Sequence, residues 1–346
     1  MRTLHCLSFA LLVSVCPAQD SRTKQAQALA DKFVSENSVV GASIAVVRDG
    51  KLELAIGAGF ADRETKKPVL PTTLIRLGSI SKPVTAVGVM KLVEAGKLSL
   101  TDTLESRVPE WPKGRPTVTL AQLLSHTGGV RHYKPLGGDT TGQSYTHSTT
   151  AEAVKLFAGD PLLFDPGTKE SYSTHAYTLI ARMIETAGKT DFVSFMRKSV
   201  FRNELDCEIL SETKPSRSQL YTALSDSIRL ETKREDNSWK YGGGGMEATA
   251  RGLALWADNL RAGKTLSQKS MDQMWTPAKL NDGKVLQYGL GWRIDGQVVS
   301  HSGAQQGCRT SMTIDRERKL TVVVLTNTSG RHAPGQLGTS IAALWR

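Results

Sequence analysis

The chain has 346 residues, 39% hydrophobic and 22% charged, which is long enough for one large core or two linked ones. Its 44 Lys and Arg against 33 Asp and Glu give a formal charge of +11, but the basic residues are scattered and do not alternate with aromatics as in a nucleic-acid groove. No stretch approaches the ~20 apolar residues of a membrane span. The composition therefore predicts a globular protein with no nucleic-acid partner and no transmembrane segment.

The first residues have the layout of a secretory signal peptide. Arg2 precedes an apolar run at 4–15, and Cys16-Pro17-Ala18 offers small residues for cleavage. We therefore assign residues 1–18 to a signal peptide and expect an exported, periplasmic or extracellular protein. The following segment, 21–37, carries apolar residues at helical spacing and predicts a helix.

Two apolar runs, at 42–48 and 52–58, are typical of strands and are joined by Asp49-Gly50. Both central positions of a two-residue hairpin turn need positive φ, which this dipeptide adopts readily. The segment predicts a β-hairpin close to the N-terminus of the mature chain.

The middle of the chain, about 82–230, shows mostly helical patterns separated by polar loops. Short helices are predicted at 120–125 and 151–157, and a clear apolar stripe at 176–184 predicts a longer one ending near Gly188. Strand patterns then return at 288–294, 297–301, 308–314 and 320–326, and residues 338–345 predict a closing helix.

Strands at both ends with helices between them predict an α+β protein. Its antiparallel sheet would be built from both chain ends, with the terminal helices on one face and a mostly helical part inserted between the halves. We expect a sheet domain from 19–78 and 240–346, a helical domain from 79–239, and a site at their junction.

The strongest local signal is Gly78-Ser79-Ile80-Ser81-Lys82-Pro83 at the start of a predicted helix. Proline fits near a helix start because the N–H it lacks would have no partner there. Ser79 and Lys82 would share a face, where an amine kept neutral by burial could take the serine proton. The alternative is that Ser79 caps the helix and Lys82 is a surface charge.

Two further motifs could join this pair in a cleft. Tyr172 precedes the helix predicted at 176–184, so its phenol could relay a proton between Ser79, Lys82 and a leaving group, although a buried tyrosine followed by a threonine N-cap would look the same.

The third motif, His301-Ser302-Gly303, ends a predicted strand that could pair with an extended substrate. Gly303 would permit close backbone approach, and the N–H of Ala304 could join that of Ser79 in an oxyanion hole.

Together and in this order, these motifs resemble those of the penicillin-recognising serine hydrolases. That family carries Ser-x-x-Lys, then Tyr-x-Asn, then a Lys/His-Thr/Ser-Gly strand motif. The matching positions here are Ser79, Lys82, Tyr172, Thr174, His301, Ser302 and Gly303. The resemblance covers nearly all of the mature chain, including 123–129 and 243–245, and is strongest to the class C β-lactamase-like branch with its D-alanyl-D-alanine carboxypeptidases and esterases.

The resemblance implies the β-lactamase/transpeptidase-like fold and an acyl intermediate on Ser79, with a small peptide, ester or β-lactam-like substrate. The run 131–133 and the Tyr-Ser-Thr form are similar to a mitochondrial, filament-forming branch, whose long insertion is absent here. Thr174 stands where most relatives carry Asn, and His301 in place of Lys removes a permanent positive charge from the expected substrate-carboxylate site.

Two functional hypotheses follow from the sequence. The first is an exported serine hydrolase acting on peptide, amide or ester bonds through Ser79, Lys82 and Tyr172. The alternative, suggested by Thr174 and His301, is a non-catalytic binding or structural protein of filament type on the same fold.

No cofactor or metal is expected. The seven histidines form no His-x-x-x-His pair and Cys-x-x-Cys is missing. The glycine runs at 57–59 and 242–245 lack the rest of a dinucleotide or phosphate-loop pattern. Outside the signal segment, Cys207 and Cys308 could pair in an oxidising compartment or remain packed thiols.

Overall fold

The computed structural model describes residues 17–134 and 149–345, apart from residues 203, 210 and 226. The residues preceding Pro17, and with them most of the predicted signal peptide, lie outside this part. The helices of the described part are α1 (Pro17–Glu36), α2 (Ser81–Glu94), α3 (Leu104–Arg107), α4 (Leu120–Leu124), α5 (Thr150–Lys155), α6 (Thr174–Gly188), α7 (Phe192–Ser199), α8 (Tyr241–Gly244), α9 (Ala250–Arg261), α10 (Gln268–Met274) and α11 (Pro334–Ala343). Single 3₁₀ turns lie at Gly78–Ile80 and Ser238–Lys240.

The strands are β1 (Gly41–Arg48), β2 (Lys51–Asp62), β3 (Lys67–Pro68), β4 (Ile75–Arg76), β5 (Leu205–Cys207), β6 (Tyr221–Ala223), β7 (Ile228–Leu230), β8 (Met246–Ala248), β9 (Arg293–Asp295), β10 (Val298–Gln305), β11 (Cys308–Asp315), β12 (Leu320–Thr326) and β13 (Thr328–Ser329). Seven of them form one antiparallel sheet in the order β3-β2-β1-β12-β11-β10-β9, and the others form two small three-stranded sheets.

The large sheet joins both ends of the chain, as predicted. β1 pairs with β12, so the N-terminal hairpin continues directly into the C-terminal strands. Asp49 and Gly50 turn the hairpin with φ of 47° and 84°, the positive values that this two-residue turn requires. The predicted α+β arrangement, with one antiparallel sheet built from both chain ends, is confirmed. Strand β10, which carries the His301-Ser302-Gly303 motif, lies next to the last strand of the sheet.

Each face of the sheet is covered by helices. On one face, α1 and α11 pack against β1, β2 and β12 in a small apolar cluster that includes Ala26, Leu54 and Ile341. On the other face, α9 packs against β1 and β12, and the larger cluster runs from there through α2 and α6. The division into a sheet domain (19–78, 240–346) and a helical domain (79–239) stays a prediction.

One predicted segment is wrong in the structure, and another contains strands that the sequence does not predict. The strand predicted at 288–294 is reduced to β9, because the peptide groups of Leu290 and Gly291 donate to Met274 and Leu124 instead of to a neighbouring strand. The middle of the chain is mostly helical, as predicted, but it also contains β5, β6 and β7 between residues 205 and 230. Their three-residue lengths leave almost no period for a sequence pattern to reveal.

Cys207 and Cys308 are buried free thiols, which confirms the packed-thiol alternative. Within the described residues, no helix is long and apolar enough to cross a membrane. The same residues contain no group of three metal-ligating side chains of the His, Cys, Asp or Glu type.

Candidate active site

Ser79 lies in the 3₁₀ turn that leads into α2. Gly78 enters this turn with φ of +55°, and a methyl group on it would lie 2.9 Å from the Ala304 nitrogen of β10. A larger residue here would push the serine segment away from the strand. The cap position of α2 belongs to Ile80, without a side-chain capping bond, so Ser79 is not the N-cap of the alternative interpretation.

The Lys82 side chain is fully buried, which also excludes a surface charge. Its Nζ donates to Ser79 Oγ at 3.1 Å, Thr174 Oγ1 at 3.1 Å and the Gly243 carbonyl at 2.7 Å. All three partners are neutral acceptors. Burial of the amine, followed by the positive charge of Lys240, holds the pKa of Lys82 well below its ordinary value of 10.5.

Tyr172 covers this lysine from the other side. Lys82 Nζ lies 4.6 Å from the centroid of the Tyr172 ring, and the ring of His126 packs against the tyrosine with 4.4 Å between centroids. Burial raises the pKa of the Tyr172 phenol above its ordinary value of 10.0, while a hydrogen bond with the Ser79 side chain acts in the opposite direction. At neutral pH the site therefore holds a protonated phenol beside an amine that loses its proton easily.

Thr174 is the first residue of α6, and the N-cap is Ser173, whose Oγ accepts from the Ala176 N–H at 3.0 Å. The Thr174 N–H donates to His132 Nδ1 at 3.0 Å. Its side-chain Oγ1 accepts from Lys82 Nζ. Thr174 thus contacts the lysine as an asparagine could, but through a single short hydroxyl.

His301 is buried, and its imidazole is held by two hydrogen bonds. Nε2 lies 2.9 Å from the Tyr288 hydroxyl, and Nδ1 lies 2.6 Å from the Ser302 carbonyl. Burial, followed by the positive charge of Lys82, lowers the pKa of His301 to about 3. The imidazole is consequently neutral in the physiological range and does not replace the charge of a lysine.

The backbone of β10 faces the serine at its open edge. Ala304 pairs with Arg309 of β11. The Arg309 N–H donates to Thr326 Oγ1 on β12, and the Arg309 carbonyl accepts from the same hydroxyl, so both groups point away from β10. Ala304 is therefore in a non-hydrogen-bonded pair, and its N–H points away from β11. At Gly303 an added methyl would come within 2.0 Å of the Leu77 carbonyl, so only glycine lets the strand pass this close to the serine segment.

One cavity of about 490 Å³ collects these groups. Seven of the eight site residues expected from the sequence line it, and Lys82 lies behind Ser79 as the eighth. The lining residues are Ser79, His132, Tyr133, Tyr172, Thr174, Arg293, His301, Ser302, Gly303, Ala304, Arg309, Thr310, His332, Ala333, Pro334 and Gly335.

Several groups at the site were not expected from the sequence. Arg293 is the cross-strand partner of Ser300 and Arg309 that of Ala304, so both flank the motif strand by register alone. Lys240 is buried over the rings of Trp239 and Tyr133, where burial lowers its pKa to about 8. Its place two residues before the glycine run is the one sequence signal for that lysine.

Comparison with known proteins agrees with this geometry. The family model described as Beta-lactamase matches residues 26–344. The chain belongs to the beta-lactamase family. The β-lactamase/transpeptidase-like fold and the family that the motifs predicted, the penicillin-recognising serine hydrolases, are thereby confirmed.

Individual members of the beta-lactamase family are distant from this chain. The human mitochondrial serine beta-lactamase-like protein LACTB is 26% identical over 76% of the chain and 63% of its own length. Penicillin-binding protein 4* of Bacillus subtilis (strain 168) is 27% identical over 78% of the chain and 64% of its own length. The octameric penicillin-binding protein homologue from Pyrococcus abyssi superimposes with a TM-score of 0.79 at 25% identity, covering 93% of this chain and 76% of that one. The chain thus spans less than two thirds of the two curated relatives.

Proposed function

We propose that this protein hydrolyses amide, peptide or ester bonds through an acyl intermediate on Ser79. The observation that supports this most directly is the Lys82 amine, fully buried, surrounded by neutral acceptors and 3.1 Å from Ser79 Oγ. A lysine without a counter-charge in such a place is suited to accept a proton rather than to form an ion pair.

The steps follow from the positions of the groups. As Ser79 Oγ attacks the carbonyl carbon, its proton passes to Lys82 Nζ, and the oxyanion forms between the N–H groups of Ser79 and Ala304. The protonated phenol of Tyr172 then donates to the leaving group and regains a proton from Lys82. Water next attacks the acyl-enzyme with the same groups acting in reverse, which releases the acid and restores Ser79.

The cavity also supports a proposal about substrate charge. Among the described residues, the cavity is lined by two arginines, Arg293 and Arg309, and by no acidic residue. Neither arginine forms an ion pair with another described residue. A substrate carboxylate could therefore bind a guanidinium from β9 or from β11, the two neighbours of β10. These charges would replace the positive charge that His301 does not supply.

Replacing Arg309 by glutamine is expected to lower kcat/KM about tenfold for an ester that carries a carboxylate, since one charge-assisted hydrogen bond would be lost. The matched methyl-capped ester should change by less than about twofold. Steady-state kinetics on both substrates checks this, with exposed Arg318→Gln as the control. An equal loss on both esters would contradict an anion-binding role.

Acylation itself is tested by the mass of the intact protein after exposure to a fluorophosphonate and, separately, to a penicillin. We expect an adduct that Ser79→Ala abolishes while the variant keeps its circular dichroism spectrum. A fluorophosphonate adduct alone would favour an esterase or peptidase over a penicillin-binding enzyme. No adduct with either reagent would contradict the proposal and favour a non-catalytic binding or structural role.

Export through the signal peptide predicted at 1–18 is part of the same proposal. It is supported by the basic residue, apolar run and small residues of that segment. The intact mass of the protein recovered from its producing cells tests it, because cleavage near Ala18 removes the segment from the observed mass. Recovery of the uncleaved chain would contradict export by this route.

A further inference from the structure

A buried ion pair lies directly behind the candidate active site, outside the cavity. The side chains of Arg76 and Glu208 are 1% and 0% exposed, and Arg76 Nε donates to Glu208 Oε2 at 2.6 Å. A pair this deep carries a large desolvation cost, so its presence is weak evidence for a contribution to stability. Its contacts suggest a different role.

The Arg76 guanidinium joins two segments that carry the oxyanion-hole N–H groups. Arg76 ends β4, three residues before Ser79. Its Nη1 donates to Gln306 Oε1 at 3.0 Å, and Gln306 lies two residues after Ala304 in the turn between β10 and β11. One side chain thus holds the turn beyond Ala304 against the strand that leads to Ser79.

Glu208 extends the connection to a third segment. It accepts from Arg234 Nη1 at 2.7 Å and from Asn237 Nδ2 at 3.2 Å, while Arg76 Nη2 donates to the Glu235 carbonyl at 2.7 Å. These residues lead through the Ser238–Lys240 turn to α8, whose Gly243 carbonyl accepts from Lys82. Gln306 Oε1 also accepts from the Glu235 N–H at 3.0 Å, which closes the network.

We propose that Arg76, Glu208 and Gln306 are positioning residues that set the Ser79 and Ala304 N–H groups at the spacing a tetrahedral oxyanion needs. The inference rests on the proposed function, because it assigns the network to the same acyl transfer. None of the three lines the cavity, so they act through the segments they join. Displacements of about 1 Å at a reacting centre can cost about 10²-fold in rate, which gives such a network a measurable effect.

Gln306 is the suitable residue for the test because it is only half-buried, whereas neutralising Glu208 would leave Arg76 buried and unpaired. In Gln306→Ala we expect kcat to fall about tenfold. This loss is smaller than the roughly 10²-fold loss on complete removal of an oxyanion-hole donor, because the N–H groups would be displaced and not removed. KM should stay within about twofold. Binding of a boronic acid, which becomes tetrahedral on Ser79, should weaken by the same factor as kcat/KM.

Two matched variants separate positioning from general stability. Gln306→Asn keeps an amide that can accept from Arg76 and donate to the Lys233 carbonyl, which Gln306 Nε2 contacts at 3.0 Å, and should recover kcat to within about threefold of the parent value. Gln297→Ala removes an exposed glutamine from the β9–β10 turn and should match the parent protein. If the parent protein forms the Ser79 adduct but Gln306→Ala leaves kcat and boronic acid affinity unchanged, the positioning role is overturned while the proposed function stands. Absence of the adduct in the parent protein would overturn the proposed function with it.

Discussion

Replacing Lys82 by methionine is expected to lower kcat/KM by about 10³-fold, because Ser79 would lose the only amine within hydrogen-bond distance in the described structure. Methionine has a similar length, but the buried Gly243 carbonyl would lose its donor, so the free energy of unfolding should fall by no more than about 3 kcal/mol. Kinetics with a nitrophenyl ester and thermal unfolding of the same preparations measure both effects.

Lys91→Met is the matched control, since it removes a lysine from the same helix α2 on its partly exposed side. That variant should retain the activity of the parent protein. A Lys82→Met protein that stays folded and reacts at more than about a tenth of the parent rate would contradict the role of general base.

The same base predicts a pH profile. Lys82 accepts the serine proton only as a neutral amine, so kcat/KM should rise with pH as the ammonium loses its proton. Because burial and Lys240 lower the pKa of Lys82, the half-maximal point should lie well below 10.5. A rising limb centred at 10.5 or above would show that the amine is in an ordinary, solvated environment.

Replacing Tyr172 by phenylalanine should slow amide hydrolysis by about 10²-fold and affect esters with good leaving groups much less. An amine must be protonated as it departs, whereas a nitrophenolate leaves without help. The ring itself remains, so the contacts with His126 and Lys82 are preserved. The ratio of kcat/KM between a nitrophenyl ester and the matching anilide measures this effect.

Tyr133→Phe serves as control for Tyr172→Phe, because Tyr133 lines the same cavity and its hydroxyl has no part in the proposed steps. The ester-to-anilide ratio of this control should equal that of the parent protein. If Tyr172→Phe slows both substrates equally, the phenol supports acylation in general and does not protonate the leaving group.

The sequence predicted the local parts of this molecule well. The hairpin turn at Asp49-Gly50 follows from the φ values that a two-residue turn needs, and β12 at Leu320–Thr326 from a bounded apolar run. The closing helix begins at Pro334 rather than 338, a position where a missing N–H is harmless. These features depend on neighbours within a few residues, so the sequence carries them directly.

The same holds for Ser79 and Lys82. They are three positions apart at the start of a helix, and residues at this spacing lie on the same face. That Tyr172, Thr174 and β10 join them was predicted only through the resemblance of motif order to a family. Composition and periodicity alone could not bring together positions separated by more than 90 residues.

Only the tertiary structure decided the chemical state of the site. The Lys82 amine is easily deprotonated because α6 and α8 bury it among neutral acceptors, and His301 is neutral because the sheet edge buries it beside Tyr288. Arg309 reaches the cavity through its register with Ala304. Burial, counter-charge and register depend on how segments distant in sequence pack together. No local pattern in a single sequence therefore reveals them.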